Sequence, residues 1–152
     1  MKKAAITGHT SGLGASFYRL LNKNGYEVHG FSRSNGYDLR DYSQVSRVLE
    51  QLKDFDLFVN NAKPDYVQAQ IVYRLAREWS GTVLSIGSCA VIDPPLWTDT
   101  FLLEYLTQKT ALVHAHRVLE PVSNCRLLIV HPQHMDNNTD PYVAQLLKEL
   151  DL

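Results

Sequence analysis

The sequence has few cysteines, little net charge and no long apolar run. Two cysteines are too few for a disulfide framework, and we expect Cys89 and Cys125 to be reduced packing residues. A formal net charge of −1 and the lack of a basic run argue against nucleic-acid binding. Without a membrane-length apolar stretch or a signal peptide, we expect no membrane partner and a cytoplasmic location. We also expect no metal site, since His114 and His116 are two residues apart and face different sides of a predicted helix.

Short apolar runs alternate with amphipathic helical stretches along all 152 residues. The runs are continuously apolar, which is typical of a parallel sheet that is covered on both faces. We therefore predict a single α/β domain over residues 1–152, with a Rossmann-like doubly wound parallel sheet of about six strands. In such a fold, ligands bind at the carboxyl ends of the strands. The predicted strands cover residues 2–6, 26–31, 37–39, 56–62, 82–86 and 126–131.

Several helix starts carry capping signals. Asp41 with Gln44 three residues later has the spacing of a capping box. Pro64 suits a first helical turn, where its missing N–H costs nothing. Asp140-Pro141 is expected to cap a C-terminal helix, and a long helix is predicted from about Asp99 to Leu119.

A glycine-rich turn, Thr7-Gly8-His9-Thr10-Ser11-Gly12-Leu13-Gly14, follows the first predicted strand and precedes a helix. Glycines let the backbone approach a pyrophosphate, and the helix start supplies free N–H groups. Strand, turn and helix in this order bind dinucleotides, although a simple tight turn is an equally plausible interpretation of the pattern alone. The turn residues that we predict to contact a cofactor are Gly8, Thr10, Ser11, Gly12, Leu13 and Gly14.

Polar residues also follow later strands. Arg33 beside Ser32 suits a 2′-phosphate and hence NADP, whereas an acidic residue there would suit the free ribose of NAD. The alternative is that Arg33 is a solvated loop residue. Asn60 and Asn61 could contact a ribose, but such amides alone are more often turn residues.

Ser88 follows the fifth predicted strand, and the long helix comes after it. Tyr105 and Lys109 share one face of that helix. Such a pair is usually an ordinary surface pair. However, an ammonium near a phenol stabilises the phenolate, so the tyrosine could exchange a proton with a carbonyl or alcohol oxygen. A serine hydroxyl could orient the same oxygen while a nicotinamide exchanges the hydride.

Together these residues resemble the short-chain dehydrogenase/reductase family. No single motif is specific, but their order along the chain is. The matching residues are Thr7-Gly8-x-x-x-Gly12-x-Gly14, Asp38-Leu39, Asn60-Asn61-Ala62, Ser88, Tyr105-x-x-x-Lys109 and Pro132.

The resemblance implies an NAD(P)-dependent oxidoreductase that interconverts a small carbonyl and an alcohol. It implies that Tyr105 is the general acid/base, that Lys109 holds the nicotinamide ribose, and that Ser88 positions the substrate oxygen. Arg33 with Ser32 suggests NADP, with NAD less suited. The further cofactor contacts implied are Asp38 and Leu39 beside the adenine, and Asn60, Asn61, Ala62 and Pro132 along the cleft.

The sequence departs from the family in several places. Lys63 stands where the family has a glycine. Gln133 stands where the family has a second glycine, directly after the proline that follows the last strand. The helix predicted to begin near Pro64 lacks the family's asparagine, and Gln68 is the nearest polar candidate. The segment before Tyr105 is longer than usual, and Trp97 within it is either a substrate wall or a packed surface aromatic.

The chain is also much shorter than typical family members. A non-catalytic NAD(P)-binding regulatory or scaffold protein is therefore an alternative, and a sugar-nucleotide epimerase ranks last because a substrate domain is missing. An under-covered sheet edge leads us to expect a homo-oligomer, a dimer or tetramer. We expect its interface on the long helix, through Phe101, Leu102, Leu112 and Val113.

Overall fold

The apolar runs form strands and the amphipathic stretches form helices in the computed structural model, which describes residues 1–95, 99–135 and 137–152. Within these ranges, five strands alternate with five α-helices, in the order that the sequence pattern predicts. In chain order they are β1 (Lys3–Thr7), α1 (Gly12–Lys23), β2 (Glu27–Phe31), α2 (Tyr42–Gln51), β3 (Leu57–Asn60), α3 (Val67–Glu78), β4 (Thr82–Ile86), α4 (Thr100–Leu119), β5 (Arg126–Val130) and α5 (Asp140–Glu149).

The strands form one sheet in the order β2-β1-β3-β4-β5, and every neighbouring pair is parallel. The chain moves outward in one direction from β1 to β2 and in the other from β3 to β5. The carboxyl ends of β1 and β3 therefore flank the switch point at which doubly wound sheets bind ligands. The predicted α/β, Rossmann-like fold is confirmed.

The predicted strand at residues 37–39 is wrong, so that the described residues contain five strands and not about six. This segment packs by its side chains instead of pairing with the sheet. The Tyr37 ring meets Phe31 edge-on at 4.9 Å, and Leu39 is buried in the core. A loop with two apolar anchors has the same pattern as a short strand, which explains the error.

The sheet separates two apolar layers. Because side chains alternate along a strand, Ala5 and Phe58 face α2, α3 and α4, whereas Ile6 and Val59 face α1 and α5. All four are completely buried. Burying a large apolar side chain contributes about 1.5–3 kcal/mol, so these layers supply much of the stability that fixes the strand ends in place.

The start of α2 is capped as predicted, but without the reciprocal contact. Asp41 accepts a hydrogen bond from the Ser43 backbone N–H at 2.9 Å. Gln44 does not reach back to Asp41 and instead accepts from Arg47 at 2.6 Å. The capping-box prediction is therefore half right.

The start of α5 is joined to α1 by polar side chains. Thr139, not Asp140, is the N-cap residue, and its hydroxyl lies 2.6 Å from that of Ser16. Asp140 is the first helical residue, and its carboxylate accepts from Ser16 and from Arg19. These contacts fix α5 against α1. Pro64 likewise precedes its helix, since α3 begins at Val67.

The surface of α4 differs from the expected interface in one residue. Leu112 is completely buried and belongs to the core of the chain itself, so it cannot contact a second copy. Phe101 is 78% exposed and Leu103 is 57% exposed, so the first turn of α4 carries the apolar surface. Among the described residues, no helix is long and apolar enough to span a membrane.

Candidate active site

The turn after β1 is held to the end of β3 by two side chains. The Thr7 hydroxyl accepts hydrogen bonds from the backbone N–H groups of Asn61 and Ala62, both at 3.1 Å. The Asn61 side-chain amide donates to the backbone oxygens of Thr7 and Gly8, both at 3.1 Å. Asn61 therefore braces the turn in addition to lining the cleft beside it.

The glycines of the turn serve different purposes. Gly8 and Gly12 have φ angles of 68° and 53°, a region that residues with a Cβ rarely adopt. A Cβ on Gly12 would meet open space, so this glycine leaves room beside the backbone. A Cβ on Gly14 would lie 2.0 Å from the Gly8 oxygen, so Gly14 lets α1 pack against the turn.

A cavity of about 1110 Å³ extends along the carboxyl ends of the strands. This volume is at the upper end of the range for small-molecule sites. The predicted site residues that line it are Gly8, Thr10, Ser11, Gly12, Leu13, Ser32, Arg33, Asp38, Leu39, Asn61, Ala62, Ser88, Tyr105, Lys109 and Pro132.

Two predicted cofactor contacts lie away from the cavity. Gly14 is buried beneath the turn, where its lack of a side chain matters for packing. Asn60 is completely buried, and its side-chain amide donates to the Gln68 backbone oxygen at 2.9 Å and to the Ser85 hydroxyl at 3.2 Å. Because the last residue of β3 points into the protein, Asn60 supports the site from below.

The cavity can accept a dinucleotide at its glycine turn. Ser11 is the N-cap of α1, and its side chain makes no capping hydrogen bond, which leaves N–H groups of the first helical turn for a ligand. Open space beside Gly12 allows a phosphate to approach the backbone. These observations fit the pyrophosphate of a nicotinamide dinucleotide.

Arginines lie at the end of the cavity beside β2. Arg40 pairs with Asp38 through two hydrogen bonds, at 3.0 and 2.6 Å, and hydrogen bonding to Arg40 lowers the pKa of Asp38 to about 2. Arg33 is exposed and makes no ion pair with any described residue. Sequence reasoning missed Arg40, which lines the cavity; its spacing of two from Asp38 was the available signal.

Ser88 and Tyr105 lie at the opposite end. Ser88 is buried, and its Oγ accepts from the Ala90 backbone N–H at 3.3 Å, so its hydroxyl proton remains available to a ligand. Tyr105 is half-buried on α4. Two ammonium groups approach its ring, with Lys63 Nζ 4.9 Å and Lys109 Nζ 5.7 Å from the ring centre.

Lys109 is almost completely buried, with 3% of its surface exposed. Its Nζ donates to the Gln68 side-chain oxygen at 2.7 Å and to the Ile86 backbone oxygen at 2.6 Å. Burial, together with a smaller effect of the nearby Lys63 charge, lowers the pKa of Lys109 to about 7. At neutral pH the amine therefore exists in both protonation states.

A second cavity, of about 460 Å³, lies on the far side of Tyr105. It shares Lys63, Leu102 and Tyr105 with the larger cavity and extends to Phe101 and Gln108. The two cavities therefore meet at the tyrosine. Trp97, predicted to be either a substrate wall or a packed surface aromatic, lies outside the described residues.

The parallel sheet with a glycine turn at its switch point and a tyrosine–lysine pair on the following long helix defines a short-chain dehydrogenase/reductase fold. The sequence profile of the NAD dependent epimerase/dehydratase family matches residues 4–86, more than half of the chain. The chain belongs to this family. None of the curated proteins matches it.

Solved structures of short-chain dehydrogenases share the fold. A short-chain dehydrogenase from Burkholderia cenocepacia J2315, solved with NADP, is 20% identical with a TM-score of 0.78 over 100% of this chain and 86% of that one. An alcohol dehydrogenase from the archaeon Thermococcus sibiricus, complexed with 5-hydroxy-NADP, is 17% identical with a TM-score of 0.75 over 100% and 91%. The 3-ketoacyl-(acyl-carrier-protein) reductase from Brucella melitensis, complexed with NADH, is 19% identical with a TM-score of 0.65 over 87% and 75%.

Proposed function

We propose that this protein is an NAD(P)-dependent oxidoreductase that interconverts a small carbonyl compound and an alcohol. One observation carries the proposal. A single cavity is lined by the glycine turn at one point and by Ser88, Tyr105 and Lys109 at another. The solved neighbours that contain NADP or NADH support a nicotinamide cofactor for this chain.

The side chains at the cavity divide the chemistry between them. A bound nicotinamide would supply or accept the hydride. The Tyr105 hydroxyl would give a proton to the carbonyl oxygen in reduction and take it back in oxidation. The Ser88 hydroxyl proton, which Ala90 leaves free, would donate to the same oxygen and orient it. In its ammonium form, Lys109 uses two of its three donors within the protein and has one left for the cofactor ribose.

We further propose NADP as the preferred cofactor. Arg33 makes no ion pair with any described residue and lines the cavity beside Ser32. A guanidinium can hold a 2′-phosphate through paired hydrogen bonds, which NAD cannot offer. The positive charge of Arg40 is already engaged by Asp38, so Arg33 is the residue on which the preference rests.

Turnover with a carbonyl panel tests the reaction. Oxidation of NADPH is followed by absorbance for the wild-type protein and for Tyr105→Phe, which keeps the ring and removes the proton. We expect turnover of at least one small ketone or aldehyde and a loss of at least a hundredfold in kcat for the variant. Cofactor binding without turnover of any substrate would contradict the proposal and favour a non-catalytic NAD(P)-binding protein.

The family profile does not add epimerase chemistry to this proposal. Its match ends at residue 86, before Ser88, Tyr105 and Lys109. The match therefore bears on the nucleotide-binding half of the chain. It supports the binding of a nicotinamide cofactor. The proposed reaction rests on the residues that line the cavity.

A further inference from the structure

Gln68 has every polar atom of its side chain engaged beneath the catalytic end of the cavity. Its Oε1 accepts from Lys109 Nζ at 2.7 Å. Its Nε2 donates to the backbone oxygens of Asn60 at 2.7 Å and Ile86 at 3.1 Å. The residue is 5% exposed. A glutamine in the first turn of a helix normally extends into solvent, so this inward arrangement needs an explanation.

The contacts connect three elements at one point. Gln68 lies in the first turn of α3, Asn60 ends β3 and Ile86 ends β4. The Ile86 oxygen accepts from both Gln68 and Lys109, so the three groups close a ring of hydrogen bonds. The Asn60 amide donates back to the Gln68 backbone oxygen at 2.9 Å, which fixes the start of α3 relative to the sheet.

A second group of buried side chains keeps Asn60 in place. Its amide donates to the Ser85 hydroxyl at 3.2 Å, and that hydroxyl lies 2.8 Å from His116 Nε2. Burial lowers the pKa of His116 to about 4, so the imidazole is neutral and can accept the Ser85 proton. The residues below Gln68 therefore carry no charge at neutral pH.

The consequence for Lys109 is a fixed ammonium or amine without a counter-charge. A free lysine side chain populates many rotamers, and two hydrogen bonds at 2.6 and 2.7 Å remove most of that freedom. An amide oxygen supports the amine without the full charge of a carboxylate. Lys109 can therefore be held in position and still exchange its proton near neutral pH.

We propose that Gln68 is the positioning residue of Lys109, and that it holds the lysine through an uncharged amide so that its remaining donor faces the cofactor and Tyr105. The proposal rests on the proposed function for its catalytic meaning. It accounts for the absence of the family's asparagine from this helix, because a direct side-chain contact at the first turn of α3 fixes the lysine here.

The charged and titratable groups around Lys109 come from two elements. Lys63, in the segment after β3, faces it with a positive charge. Tyr105 lies one turn earlier on α4. The neighbours from α3 and β4 are the uncharged Gln68 and the Ile86 backbone oxygen. A change of charge at position 68 should therefore change the pKa of Lys109 directly.

The test is the pH titration of the Lys109 ¹³Cε resonance in the cofactor-free protein, assigned with Lys109→Met. In Gln68→Glu a carboxylate replaces the amide at the same length, and we expect the pKa of Lys109 to rise by about one unit or more. In Gln68→Met the oxygen is lost, and we expect a lower pKa. Gln70→Glu, an exposed glutamine on the same helix, is the control and should leave the pKa within about 0.3 units of the wild-type value.

The outcomes separate this proposal from the proposed function. Unchanged titration in both Gln68 variants would overturn the positioning role, whether or not the protein is active. The expected shifts without turnover in the wild type would support the contact and contradict the oxidoreductase proposal. With turnover, the pH profile of kcat in Gln68→Glu should move in the same direction as the resonance, and a profile that stays in place would overturn the catalytic role of the contact. If Gln68→Glu fails to fold, Gln68→Met gives the same readout with the opposite sign.

Discussion

Lys109 shows how burial can change the chemistry of a single side chain. Its amine is enclosed by Gln68 and Ile86, and no carboxylate within 4 Å pairs with it among the described residues. Desolvation penalises the charged form, so the proton is held less tightly than on a surface lysine. The positive charge of Lys63, which stands where the family has a glycine, lowers the pKa of Lys109 in the same direction.

His116 gives a pH dependence that can be measured on the whole chain. Burial, together with a smaller electrostatic effect of His131, lowers its pKa from 6.5 to about 4. The unfolded chain takes up a proton as pH falls through 6.5, whereas the folded chain resists protonation until about pH 4. The contribution of His116 to the free energy of unfolding is therefore fully present above pH 6.5 and is lost as the pH falls between these two values. At 1.36 kcal/mol per pKa unit, the loss is roughly 3 kcal/mol.

Urea unfolding at pH 7.0, 5.5 and 4.5 measures this loss. We expect His116→Gln to lose stability less steeply with acid than the wild type, because glutamine does not titrate. His114→Gln changes an exposed histidine on the same helix and should keep the wild-type slope. Equal slopes for the wild type and His116→Gln would contradict the role of His116.

Part of the site was predictable from residue types and part was not. Tyr105, Lys109 and Ser88 stand out because their chemistry is specific, and all line the cavity. The roles of Asn60 and Gln68 depend on which way a buried amide points, which spacing does not determine. Arg40 was missed because its spacing of two from Asp38 does not by itself show that the pair lines a cavity.

At the level of elements, the turn between β1 and α1 has no room for a side chain at Gly14. Gly14→Ala would bring a Cβ to 2.0 Å from the Gly8 oxygen, so the turn or the helix must move. We expect destabilisation of about 1–3 kcal/mol and at least tenfold weaker NADPH binding, measured by cofactor fluorescence.

Gly25→Ala is the matched control for this substitution. Gly25 follows α1 at a φ of 88° with open space around its Cβ position, so alanine is strained there without touching another group. We expect a loss of about 1–2 kcal/mol in stability and unchanged NADPH binding. Equal binding by Gly14→Ala and Gly25→Ala would contradict the role of the turn.

Elements with a strong periodic pattern were predicted well. The five observed strands lie within one or two residues of their predicted bounds, because continuous apolar runs between helices have few other uses. Boundaries next to the site were less accurate. β3 was predicted to continue to Ala62, but it ends at Asn60, where the Thr7–Asn61 contacts replace pairing within the sheet.

At the scale of the whole molecule, β5 is an edge strand and its residues are only partly buried. We propose that a second copy of the chain covers exposed apolar surface, and that the first turn of α4 is the contact. Phe101 and Leu103 are exposed there. Sedimentation at micromolar concentration should give a dimer or tetramer for the wild type and a monomer for Phe101→Asp combined with Leu103→Asp.

Val122→Asp is a control for this oligomer, since Val122 is 76% exposed but lies beyond the end of α4. It should sediment as the wild type does. A wild-type protein that sediments as a single monomeric species would contradict the proposed assembly. In that case we would assign the exposed apolar surface of α4 to the wall of the cavity beside Tyr105.

Calorimetric titration of the folded protein with NADPH and NADH tests the dinucleotide site most directly. We expect one NADPH to bind per chain, NADH to bind more weakly, and Arg33→Ala to lose affinity for NADPH while keeping that for NADH. Stronger binding of NADH would contradict the role of Arg33. The absence of binding of either dinucleotide at millimolar concentration would contradict the assignment of the cavity as a nicotinamide cofactor site.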